Sequence, residues 1–84
     1  KIRFWRDPDG PEVDWVIDEE GVYTPVEVKW TDKPAVSDIR HLKVFLSEYE
    51  SAQMGYLVCQ VPRKIKLGDK IFALPWQSLP ELIK

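Results

Sequence analysis

The hydrophobic period of this chain changes twice, and the order of the changes leaves few folds open. In "EVDWVID" and "VYTPVEVKW" apolar residues alternate with others, as side chains on a strand do. After "TDKP" the period becomes helical: Ile39, Leu42, Phe45, Leu46 and Tyr49 recur at helical spacing over 37 to 49, with Ser37 or Asp38 suited to cap the start. "MGYLVCQV" follows as a nearly unbroken apolar run, which fits a strand covered on both faces. Strand, helix and buried strand in succession predict a right-handed crossover and a parallel pair.

The flanking segments complete a sheet. "KIRFWRD" reads as a first strand that stops at the turn signal "DPDG", and "EEG" supplies the next turn, so the first three strands form an antiparallel meander. "PRKIKLGD" reads as a basic loop, "KIFALPW" as a last short strand and "QSLPELIK" as a final turn of helix. The fold class expected is α/β: a mixed five-stranded sheet with the helix on at least one face. Trp15 shares a strand face with Val13 and Ile17, and Trp30 shares one with Val26 and Val28, so both are expected in the core. Trp5 and Trp76 are the candidates for a docking surface.

Eighty-four residues with 44% apolar content suffice for one small core, so residues 1–84 are read as a single domain. The chain enters an apparent strand within two residues of Lys1, which predicts a fragment of a longer protein. No apolar run approaches membrane-spanning length and the first residues given do not show a signal-peptide pattern, so the location expected is cytoplasmic, with no membrane partner. Cys59, the single cysteine, excludes an internal disulfide, and its apolar setting predicts a buried, inert thiol. A net charge of −2 argues against coating nucleic acid by bulk electrostatics but leaves room for a local basic groove.

The polar face of the meander carries the chemistry. If a two-residue loop at Glu20 and Gly21 joins the second and third strands, Asp14 lies opposite Glu27, with Lys29 next along that face. A slip of one residue would separate them. Two carboxylates a few ångströms apart repel by about 4 kcal/mol at an effective dielectric near 20, and a divalent ion relieves this. Magnesium is typically held by one or two carboxylates plus waters and phosphate oxygens. Such an ion polarises a phosphodiester and acidifies a bound water, while a neighbouring lysine positions the nucleophile or stabilises developing charge. The plainer reading is a solvated sheet face on which Lys29 neutralises acids across strands.

The arrangement "VD" at 13–14 and "EVK" at 27–29, on two strands followed by an amphipathic helix and an apolar strand, resembles the PD-(D/E)XK nuclease superfamily. "FWRDPDGPEVDWVIDEEGVYTPVEVKW", "DIRHLKVFLSEY", "GYLV" and "IFALPW" together resemble the DUF4143 C-terminal domain of prokaryotic AAA-type ATPases. The resemblance implies a restriction-endonuclease-like sheet in the order 1-2-3-4-5, with strands two and five antiparallel to the others. It implies Mg²⁺ or Mn²⁺ held by Asp14 and Glu27 with the Val28 carbonyl, and Lys29 as the catalytic lysine. Val13 stands where the motif has proline, and the superfamily's first helix has no counterpart in this sequence.

Two functions follow as expectations: a metal-dependent nuclease-like domain of an ATPase, or a catalytically silent docking or dimerising module on the same fold. The first expects DNA as partner, with Arg40, Lys43, Arg63, Lys64 and Lys66 as candidate phosphate contacts. The second expects the ATPase domain of the same chain, or a second copy, as partner. His41, between Arg40 and Leu42 with no evident acid partner in the sequence, reads as a solvated helix histidine.

Overall fold

The computed structural model describes residues 2–5 and 13–82. The turn expected at 7–10, the side chain of Trp5 and the last two residues fall outside them. Strands β1 (Ile2–Trp5), β2 (Trp15–Glu19) and β3 (Val22–Val28) form the expected antiparallel meander. A 3₁₀ turn (Val36–Ile39) leads into helix α1 (Arg40–Glu48), which crosses to β4 (Gly55–Cys59), parallel to β3. The chain then forms β5 (Ile65–Gly68), β6 (Ile71–Pro75), a second 3₁₀ turn (Trp76–Ser78) and the short helix α2 (Leu79–Leu82). No helix among the described residues is long and apolar enough to cross a membrane.

The sheet has six strands in the order β1-β2-β3-β4-β6-β5, which corrects the sequence reading in two respects. The stretch read as a basic loop contains β5, and the last strand runs parallel to β4 rather than antiparallel. The two corrections have one cause. After β4 the chain skips a place, lays down β5 at the edge, and returns through the Asp69–Lys70 turn into the gap, which restores the direction of β4. Ile65, Lys66 and Leu67 alternate too briefly to be conspicuous, and a short, lysine-bearing strand is how a sheet edge is ordinarily kept from pairing with another chain.

The β2–β3 turn sets the register. Glu20 and Gly21 both take positive φ, 54° and 89°, the conformation of the two-residue hairpin turn whose twist matches the strands. Gly21 N–H donates to the Asp18 carboxylate at 2.9 Å, which steadies the turn. Glu19 then pairs with Val22 and Trp15 with Val26. Pro25 interrupts β3 without loss, because pairing to β4 begins at Val26 and no ladder bond needs the missing N–H.

Two apolar layers cover the sheet. On the α1 side Val13, Val16, Ile39, Leu42, Phe45, Leu57, Cys59, Ile71 and Ala73 form the main core. Each large member so buried contributes roughly 1.5–3 kcal/mol. On the other side Ile17, Val26 and Val58 pack under Leu79 and Leu82, a smaller cover set by the four residues of α2. The amphipathic helix is therefore where its period places it, and β4 is the buried central strand.

Trp15 and Trp30 do not join the core. Val13 and Val16 are buried on the α1 side while Ile17 belongs to the other, so strict alternation fails at Asp14, where the chain bends before β2 begins. Trp15 (37% exposed) and Val28 (43%) lie beyond the reach of α2, and Trp30 (69%) rests on Trp76 with ring centroids 6.3 Å apart. Their face is the apolar one, as expected, but the cover stops short of them.

Candidate functional site

Glu27 stands on the α1 side of β3, the side opposite to Val26, and looks toward the first turn of α1. Lys29, two residues on, shares that side, and its backbone N–H donates to the Val58 carbonyl at 2.9 Å, which extends the β3–β4 ladder by one step. In the register set by the turn, Asp14 comes level with Glu27 one residue before β2 starts. In the alternation of ladder bonds the Val28 N–H would face the Val13 carbonyl. It donates to Asp14 Oδ2 instead, at 2.6 Å. The aspartate thus replaces a backbone partner at the point where the strand bends, which fixes its carboxylate beside the "EVK" segment.

Glu27 is the centre of the arrangement. Its Oε1 is buried and has no hydrogen-bond partner. Burial, with the negative charge of Asp14 added, raises the carboxyl's pKa above its ordinary value against the opposing pull of His41 and Lys29. His41 Nδ1 faces Oε1 at 3.6 Å, too far for a hydrogen bond. His41 therefore has an acid neighbour after all. The signal available in the sequence was its place on the first turn of the crossover helix, the turn that packs over the end of β3.

Lys29 is turned toward the helix as well. Its ammonium lies 3.4 Å from Asp38 Oδ1, while Asp38 Oδ2 accepts the Ala35 N–H at 2.8 Å. Asp38 thus steadies the start of the helical segment from its third position rather than as the cap itself. That hydrogen bond, helped by Lys29, lowers the Asp38 pKa. With its side chain 56% exposed, Lys29 stays accessible to a ligand approaching from solvent.

The donors fit a hard divalent cation. A buried carboxylate oxygen without a hydrogen-bond partner, a second carboxylate whose field acts on it and an adjacent imidazole make an electron-rich group of donors. Among the described residues no three His, Cys, Asp or Glu side chains gather closely enough to enclose an ion, so water and substrate oxygens would complete the shell.

The basic candidates divide between the two faces. Arg40 and Lys43 are exposed on α1, in the layer that carries Glu27 and Lys29. Lys66 pairs with Phe72, and the Lys64 ammonium lies 4.4 Å from the Phe72 ring centroid, so both belong to the opposite face. Arg63 is exposed in the loop before β5. Cys59 is buried, and burial pushes its thiol pKa up, as expected of an inert cysteine.

Fold and site together define a mixed α/β sheet domain with an Asp, Glu, Lys constellation under its crossover helix. The chain belongs to the DUF4143 family, a domain of unknown function, whose model matches residues 1–79. Comparison with curated proteins and with solved structures gave no match.

Proposed function

We propose that this domain is a metal-dependent phosphodiesterase of restriction-endonuclease-like type, acting on DNA as part of a larger prokaryotic ATPase. The observation that carries the reading is the buried, unpartnered Oε1 of Glu27 beside Asp14, with Lys29 next along the same face. Asp14 and Glu27 would hold Mg²⁺ or Mn²⁺, with the Val28 carbonyl as the backbone contribution. Such an ion, when bound, polarises the phosphodiester and lowers the pKa of a bound water.

The remaining work falls to the chain's own residues. Lys29 holds a positive charge at the mouth of the site, where it orients the attacking water or offsets charge on the phosphate oxygens. Asp38 keeps that ammonium in place between turnovers without burying it. Arg40 and Lys43 are on the right layer to contact the phosphates of a strand laid along α1. Lys64 and Lys66 face away and are not assigned to the same contact.

Incubating supercoiled plasmid with the protein in Mn²⁺ tests this reading. Nicking that is abolished by a chelator and by Glu27→Ala is expected; a wild-type protein that never cuts, or cutting that survives Glu27→Ala, would overturn it.

One observation favours a second reading, the docking module. Trp15, Val28, Trp30 and Trp76 leave an apolar patch on the side that α2 does not reach. Sedimentation of the wild type against Trp30→Ala discriminates: self-association lost in the variant supports docking between copies, and a monomer at all concentrations counts against it.

A further inference from the structure

We propose that His41 is a ligand of the cation held at Glu27, and that its nitrogen makes the site prefer Mn²⁺ to Mg²⁺. The proposal rests on the metal-dependent reading above and adds to it a residue outside the Asp, Glu, Lys set.

Three features of the pair point to a shared ion. First, the separation of 3.6 Å between His41 Nδ1 and Glu27 Oε1 is too long for a hydrogen bond. Two donors each about 2.1 Å from one ion stand roughly 3.0–3.4 Å apart, so a small closure brings these two onto the same cation. Secondly, Glu27 Oε1 is buried and otherwise unpartnered, a placement that costs free energy unless something positive occupies the gap. Thirdly, His41 is half-buried on the first turn of α1, whose Leu42 and Phe45 are fixed in the core, so its ring is held over β3 rather than loose in solvent.

The chemistry of the pair then decides which metal. An imidazole nitrogen adds little to Mg²⁺, which takes oxygen donors, and more to Mn²⁺, which accepts nitrogen while keeping an octahedral shell. Oxygen donors alone, with waters completing the shell, would give a weaker preference.

Binding and spectroscopy of the purified chain test the proposal without any turnover. Calorimetric titrations with MnCl₂ and MgCl₂ are compared for wild type, His41→Ala, His41→Asn and Glu27→Gln, each checked for folding by circular dichroism. The expected result is tighter binding of Mn²⁺ than of Mg²⁺ by wild type. His41→Ala and His41→Asn should lose on the order of 10-fold or more in Mn²⁺ affinity while changing Mg²⁺ affinity far less. Electron spin echo modulation of bound Mn²⁺ should show a directly coordinated ¹⁴N that is absent from the His41 variants. Metal binding that weakens in Glu27→Gln but not in either His41 variant, with no nitrogen coupling, would overturn the role of His41 and leave the metal-dependent reading standing. Binding of neither ion by folded wild type would overturn both.

Discussion

Two acid–base pairs meet at the start of α1: Glu27 with His41, and Lys29 with Asp38. The second pair gives a pH prediction whose sign is fixed. Asp38 has its pKa depressed in the folded state, so the stability it contributes is present above the ordinary aspartate range and is lost as pH falls through the folded pKa. Asp38→Asn is therefore expected to be less stable than wild type near neutral pH, with the gap closing in acid; urea midpoints at a series of pH values check this. Cys59 offers a second test. Buried and with its thiol pKa raised, it should react with a disulfide reagent only at the rate of unfolding, so folded protein shows negligible release and protein in denaturant shows one thiol per chain.

At the scale of the element, the β2–β3 hairpin brings Asp14 level with Glu27, and α1 holds the layer above them. Gly21 has φ 89° with nothing within 4 Å of where a Cβ would sit, so Gly21→Ala tests the conformational cost alone and is expected to destabilise by about 1 kcal/mol in chemical denaturation. Phe45 is fully buried between α1 and the sheet and stacks on Tyr49 at 4.3 Å, and Phe45→Ala is expected to cost about 3–5 kcal/mol, a large part of the stability of so small a domain. Much of this was legible in the sequence. The turn residues "EEG" gave the register, the helical period gave the buried Ile39, Leu42 and Phe45, and the unbroken apolar run gave the central strand. Alternation failed where a side chain intervened in the ladder: Asp14 takes the Val28 N–H, the strand bends, and Val13 and Trp15 no longer share a fate. The contact of Glu27 with His41 and that of Lys29 with Asp38 were hidden for a related reason. Both join a strand to a helix, and spacing along the chain does not encode how a helix is rotated over a sheet.

For the whole molecule, the unequal cover of the two faces separates the acidic site from the exposed tryptophans. One face carries α1, the main core and the acidic site; among the described residues the other is covered by α2, with Trp30 tilted against Trp76 beyond its end. Exposed as it is, Trp30 adds little to folding, and Trp30→Ala should change unfolding free energy by no more than about 0.5 kcal/mol, in contrast to Phe45→Ala. The membership of the DUF4143 family over residues 1–79 makes the site a property to be sought across that family. In the proposed function, Lys29, beside a cation held by Asp14 and Glu27, assists hydrolysis of a phosphodiester. The most direct measurement is the rate of supercoiled-plasmid nicking in Mn²⁺ by wild type, Lys29→Ala and Asp38→Asn, side by side. Nicking by wild type, its loss in Lys29→Ala and its retention in Asp38→Asn, where the ammonium is released but kept, is the predicted result; equal rates for wild type and Lys29→Ala, or no nicking by wild type, would contradict it.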